Sequence, residues 1–140
     1  MEGIDQELQA RVWSRVSGKG ELPAPAGRFS ELTGELAACY RHFGRKIPAF
    51  RDLERKVLQN QNQIFSLQAL RGIRESRRLH NIPMEDLPGT MERCCHLERR
   101  LAAELERFAG DPEWGEVFAM LARQARQRCL AVLALRGRRG

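Results

Sequence analysis

Apolar residues recur along this chain at intervals of three and four, in five stretches separated by glycine- or proline-containing breaks. That spacing is the mark of helices that bury one face. Ile4, Leu8, Val12 and Val16, with Trp13 beside them, make the first stretch, a short amphipathic helix that ends at Ser17-Gly18. GKGELPAPAG then reads as a linker, from its glycine and proline content. The first long helix is expected from about Ser30, a good N-cap, with Leu32, Leu36, Tyr40 and Phe43 on one face and Gly44 as its stop. Pro48 opens the second, where a missing N–H costs nothing, and Leu53, Val57, Ile64 and Leu67 face inward. RRLHNIPMEDLPGT, with two prolines and a glycine, breaks the pattern and is long enough to run the length of a bundle. A third helix is expected from about Met91 to Ala109, stopped by Gly110. DPEW starts the fourth: Asp111 as N-cap, Pro112 in the first turn and Glu113 at the positive end of the helix dipole. Trp114, Phe118, Leu121, Ala125, Cys129 and Val132 form its inner face, and it runs into RGRRG. Residues 1–28 thus read as an N-terminal helix and linker, and 29–140 as one helical domain.

The second long helix interrupts its own stripe. Residues 59–63 are QNQNQ, and the inward position between Val57 and Ile64 falls on Asn60. In one reading neutral amides bond to one another in the core. In the other all five amides face solvent and the stripe passes through Leu58 and Phe65 instead.

Composition narrows the class. With 42% hydrophobic and 30% charged residues, a chain of 140 residues can fold as one ordinary domain. Leu, Ala, Arg, Glu and Gln dominate and β-branched residues form no run, so the fold class is all-α. No window reaches the eighteen or so apolar residues of a membrane span. The N-terminal MEGIDQELQARVW lacks a signal-peptide core, so a cytoplasmic location without membrane attachment is expected. The net charge of +6 is carried mainly by arginine, which attracts nucleic acid or acidic partners. These arginines alternate with glutamates at helical spacing, without interleaved aromatics or a nucleic-acid-binding motif, so they read first as a solvated helix surface.

Cys39, Cys94, Cys95 and Cys129 lack CxxC spacing, and three of the four sit among apolar helix-formers, which reads as buried reduced thiols. Cys94, Cys95 and His96 cannot all face one ion, because adjacent helical residues diverge by about 100°. His42, His80 and His96 form no i, i+3 or i, i+4 ligand pair.

Two helix hairpins with short turns, joined by one long connection, resemble the ferritin-like, rubrerythrin-type antiparallel four-helix bundle over about residues 30–136. DPEWGEVFAMLARQARQRCLAVLAL is similar to that family's last helix, and ELQARVWSRV to the short leading helix of some bacterial members. The resemblance implies a di-iron centre held by a glutamate on each of the first and third helices and an E-x-x-H pair on each of the other two. The ligand-equivalent positions carry other residues. Counting back seven from Tyr40 gives Thr33; the second helix gives Asn60 and Gln63; counting back from Ala102 gives Cys95, with Glu92 and Glu98 turned aside; the fourth helix gives Ala125 and Arg128.

The resemblance therefore implies a ferritin-like domain without a recognisable di-iron site, no cofactor and no catalytic residues. Such a domain would serve as a structural or interaction module, with a protein partner or a second copy of itself. QNQNQ would then be the remnant of a ligand helix, and Arg128 is expected to point into the former site and pair with Glu35 or Glu98. Two alternatives stay open. One is a ferritin-like oxidase or peroxidase with an atypical metal site built from Glu31, Glu35, Glu92, Glu98 and Cys95; the other is a basic nucleic-acid-associated protein.

Overall fold

A computed structural model describes residues 28–74 and 86–139. The expected leading helix and its linker, His80, and most of the connection between the second and third long helices lie outside the described residues. Four helices are present: α1 (Arg28–Gly44), α2 (Pro48–Ala69), α3 (Leu87–Glu106) and α4 (Gly115–Arg139), with no strand among the described residues. The fold class is all-α, and residues from all four helices share one apolar core.

The backbones approach most closely between α1 and α2, between α3 and α4, and between α1 and α3. Aromatic residues mark the two ends of this core. At one end Phe108 packs against Phe29 and Phe118, with ring centroids 6.1 and 5.2 Å apart. Toward the other, Phe50 sits 5.8 Å from Tyr40 and 6.3 Å from Phe43.

Several helix ends differ from the expectation, each for a local reason. α1 begins at Arg28, so Ser30 is a buried first-turn residue and not the N-cap. Burying a side chain the size of Phe29 is worth about 1.5–3 kcal/mol, more than the ~1 kcal/mol of a serine cap, and Phe29 is 1% exposed against Phe108. Gly44 lies within α1, and the chain reverses just after it. The amides of Lys46 and Ile47 both donate to the Phe43 carbonyl, while Arg51 Nε donates to the Gly44 carbonyl at 3.1 Å.

α2 ends in a glycine-closed motif that the apolar pattern does not signal. Ile73 N donates to Gln68 O and Gly72 N to Ala69 O, and Gly72 adopts the left-handed φ of 78° that this closure requires. Gly110 has no such φ, and α3 stops earlier, at Glu106. α3 also starts earlier than Met91, at Leu87. Asp86 caps it by accepting from Gly89 N at 2.9 Å, and Pro88 sits in the first turn, where proline opens a helix and does not break it.

Asp111 caps as expected, its Oδ1 accepting from the amides of Glu113 and Trp114 at 2.8 and 3.3 Å, although the regular helix starts only at Gly115. Its Oδ2 receives Arg71, which ties the end of α2 to the α3–α4 turn. Trp114, Phe118, Leu121, Ala125, Cys129 and Val132 are all buried.

The α3–α4 turn folds back so tightly that a Cβ on Gly115 would lie 2.3 Å from the Ala109 carbonyl oxygen. Gly115→Ala is therefore expected to lose about 1–3 kcal/mol of stability, the usual range for forced overpacking, read as a lower urea midpoint. Gly110→Ala, with nothing within 4 Å of the new methyl, should leave the midpoint nearly unchanged.

Candidate functional site

Three of the six positions singled out from the sequence, Asn60, Gln63 and Arg128, enter one polar chain across the interior of the fold. Its centre is Glu98 on α3, which is fully buried. Glu98 lies one turn beyond Cys95 and shares its face, so the expectation that it turns aside is corrected: buried residues Met91, Cys95, Glu98, Ala102 and Leu105 follow at three- and four-residue steps. Two groups bond its Oε2: Arg128 Nε at 2.8 Å and Tyr40 OH at 2.7 Å. Arg128, 4% exposed, donates in addition from Nη1 to Asn60 Oδ1 at 2.6 Å.

Asn60 passes the chain on. Its Nδ2 donates to Gln63 Oε1 at 3.0 Å and to Gln124 Oε1 at 2.9 Å. QNQNQ thus divides by helical phase. Asn60 and Gln61 are buried, Gln63 is half-buried, and Gln59 and Asn62 are exposed. The fully solvated alternative is excluded, although Leu58 and Phe65 still pack half-buried against the core. Leu67 is half-buried as well, and Gln68 takes the inward position expected of it.

Thr33 joins a separate pair. Its Oγ1 donates to the Phe29 carbonyl at 2.6 Å and accepts from Gln61 Nε2 at 2.8 Å. Gln61 was missed from the sequence because its partner is 28 positions away, and nothing local distinguishes it from Gln59 or Asn62. Ala125 is buried and contributes only its methyl. Cys95 is buried beside α4 and donates weakly from Sγ to the Cys129 carbonyl at 3.8 Å.

Electrostatics keep the Cys94 and Cys95 thiols protonated. Burial, with Cys129 adjacent, pushes Cys95 up to about 12, and a hydrogen bond with Cys39 followed by burial raises Cys94 further. None of the four cysteines forms a disulfide, and all four are buried. Burial also raises Glu98, and Arg128 and Tyr40 pull it part of the way back. Tyr40 is raised by burial and by the Glu98 charge, so it remains a donor.

This donor set does not fit a dinuclear iron centre. Such a centre needs several carboxylates to neutralise it and imidazoles to complete it. Here the one carboxylate of the polar chain, Glu98, already holds a guanidinium, and the Cys95 thiol one turn away stays protonated. The alternative set does not come together either. Glu31 and Glu92 are exposed, and Glu35 is half-buried and receives Arg93 at 3.1 Å from Nε. Among the described residues no three His, Cys, Asp or Glu side chains are grouped to hold a metal ion. His96 is exposed, and His42 packs edge-on against Phe43. Several surface arginines pair with glutamates, as in Arg126–Glu106 and Arg41–Glu54. No described helix is long and apolar enough to cross a membrane.

Removing one partner of a buried ion pair strands the other. Arg128→Ala is expected to cost about 3–5 kcal/mol, and the double variant Arg128→Met with Glu98→Gln less than that single change, compared by urea denaturation at pH 7. The pH dependence follows from the raised Glu98. Its folded value lies above the ordinary 4.5, so its contribution to stability is fully present below about pH 4.5 and is lost as pH rises through the folded value. The stability of the native protein relative to Glu98→Gln should therefore fall from pH 4.5 toward neutrality. A difference that grew with pH would mean that the Arg128 charge outweighs burial.

Comparison with known proteins adds no relative to this geometry: no family model matches the chain, and no curated protein or solved structure matches it.

Proposed function

We propose that the chain is a ferritin-like, rubrerythrin-type four-helix domain in which a protein ion pair stands where the dinuclear metal site would be. It serves as a non-catalytic structural or interaction module in the cytoplasm and carries no resident cofactor. The observation that carries this reading is Arg128. A guanidinium at a ligand-equivalent position bonds the one central carboxylate and the amide of another ligand-equivalent position, Asn60. A fixed internal cation supplies the positive charge that metals would supply and repels any that approach.

The hydrogen-bonded arrangement of Asn60, Gln63 and Gln124 supports the same reading, since a neutral amide with partners is far less costly to bury than a carboxylate without its metal. Exposed Leu130 and Leu133 on α4 give such a module an apolar contact surface for a partner or a second copy.

Elemental analysis of protein purified with iron, manganese and zinc available tests the reading. The native chain is expected to carry well under one metal ion. The combined variant Asn60→Glu, Gln63→His, Cys95→Glu, Ala125→Glu and Arg128→His should gain metal, toward about two ions per chain. Near-stoichiometric metal on the native chain would overturn the proposal in favour of a metal-dependent oxidoreductase. A folded restored variant that stays empty would remove the ferritin-like assignment.

A further inference from the structure

The same polar chain has a directional property that points beyond a filled-in core. A guanidinium only donates, so Asn60 must turn its Oδ1 toward Arg128 and its Nδ2 the other way. Nδ2 in turn requires acceptors, so Gln63 and Gln124 both present Oε1 to it. Each glutamine then keeps its Nε2 donor away from Asn60, with no partner for it among the described residues. Arg128 Nη2 likewise has none. One cation has propagated its polarity through three amides and left donors in excess.

Those residues line a single cavity of about 280 Å³ between α2 and α4. Asn60 and Arg128 lie buried at its floor, while Arg55, Lys56, Gln59 and Gln127 are exposed at its mouth. No acidic residue lines it. Asp52 pairs with both Arg55 and Lys56 at 2.8 and 3.1 Å, and Glu98 pairs with Arg128, so two carboxylates stand against three cations. One net positive charge remains, which matches a monoanion better than a phosphate dianion. At roughly 30 Å³ for each water-sized group, the space holds on the order of nine non-hydrogen atoms.

We infer that the cavity between α2 and α4 is a binding site for a small organic carboxylate, whose oxygens accept from the Nε2 groups of Gln63 and Gln124. Gln59 and Gln127 at the mouth offer both a donor and an acceptor, which suits a ligand carrying an amide or hydroxyl next to its carboxylate. The inference goes beyond the metal-free reading and does not depend on ferritin-like ancestry, because it rests on donor direction, charge and volume alone.

N-Acetylglycine, a carboxylate with one amide, is the probe, with inorganic phosphate as the comparison. In heteronuclear NMR titrations of the full chain at pH 7, N-acetylglycine is expected to shift the side-chain amide resonances of Gln63 and Gln124 saturably, and phosphate much less. Gln124→Glu keeps an acceptor for Asn60 while replacing the donor by a negative charge, and should weaken binding by about tenfold or more. Gln59→Glu, at the exposed mouth, adds the same charge without touching the floor and should weaken binding with the fold intact by its spectrum. Absence of saturable shifts with N-acetylglycine, an equal response to phosphate, or unchanged affinity in folded Gln59→Glu would each overturn the inference.

Discussion

Glu98 and Arg128 meet where neither is solvated, with their side chains 0% and 4% exposed. Taking each ion out of water costs several kcal/mol, and mutual attraction offsets this only when further hydrogen bonds complete the pair. The fold supplies one such bond from each side. Tyr40 on α1 donates to the carboxylate and Asn60 on α2 accepts from the guanidinium, so a single pair between α3 and α4 commits all four helices to one register. Sliding α3 or α4 by a turn would leave a charge unpaired in the core, and sliding α1 or α2 would remove a hydrogen bond that completes the pair. The interaction therefore constrains arrangement more than it adds stability.

Its second effect is on spacing. The closest backbone approaches join α1 to α2, α3 to α4 and α1 to α3, whereas α2 and α4 are linked by long polar side chains. Amides and a guanidinium need room to meet end to end, and apolar residues that would draw the two helices together are scarce along this seam. The cavity follows from that composition. Its excess of donors follows from the one group in the chain that cannot accept a hydrogen bond.

The helix ends are secured by chemistry of a different kind, local and short in range. Asp86 caps α3, and Asp111 caps the approach to α4 while receiving Arg71 from beyond the end of α2. Gly72 closes α2 through its left-handed φ, and Gly115 lets the α3–α4 turn pass against the Ala109 carbonyl. These devices fix the helix ends and turns, while the central polar chain fixes the register between the helices.

The existence of the four helices and most of their inner faces was legible from apolar spacing alone, because helical periodicity is a property of each segment by itself. Pro48, Asp111 and the stripe from Trp114 to Val132 carried their meaning in the sequence. Ser30, Gly44 and Gly110 misled, since the same residue types cap, interrupt or merely occupy a turn depending on what packs nearby; Phe29 against Phe108 moved the first of these boundaries. Within the site, the inward phase of Asn60, Thr33, Ala125 and Arg128 could be read by counting turns. Arg128 meets Glu98, one of the two acids expected for it; the choice of Glu98 over Glu35, the part played by Gln61 and the use of Gln124 could not be read, because each depends on a partner 28 to 64 positions away. Sequence by itself determined most of the faces that turn inward. Only the tertiary structure decided which inward polar groups meet, since hydrogen-bond direction and burial belong to pairs of helices and not to either alone.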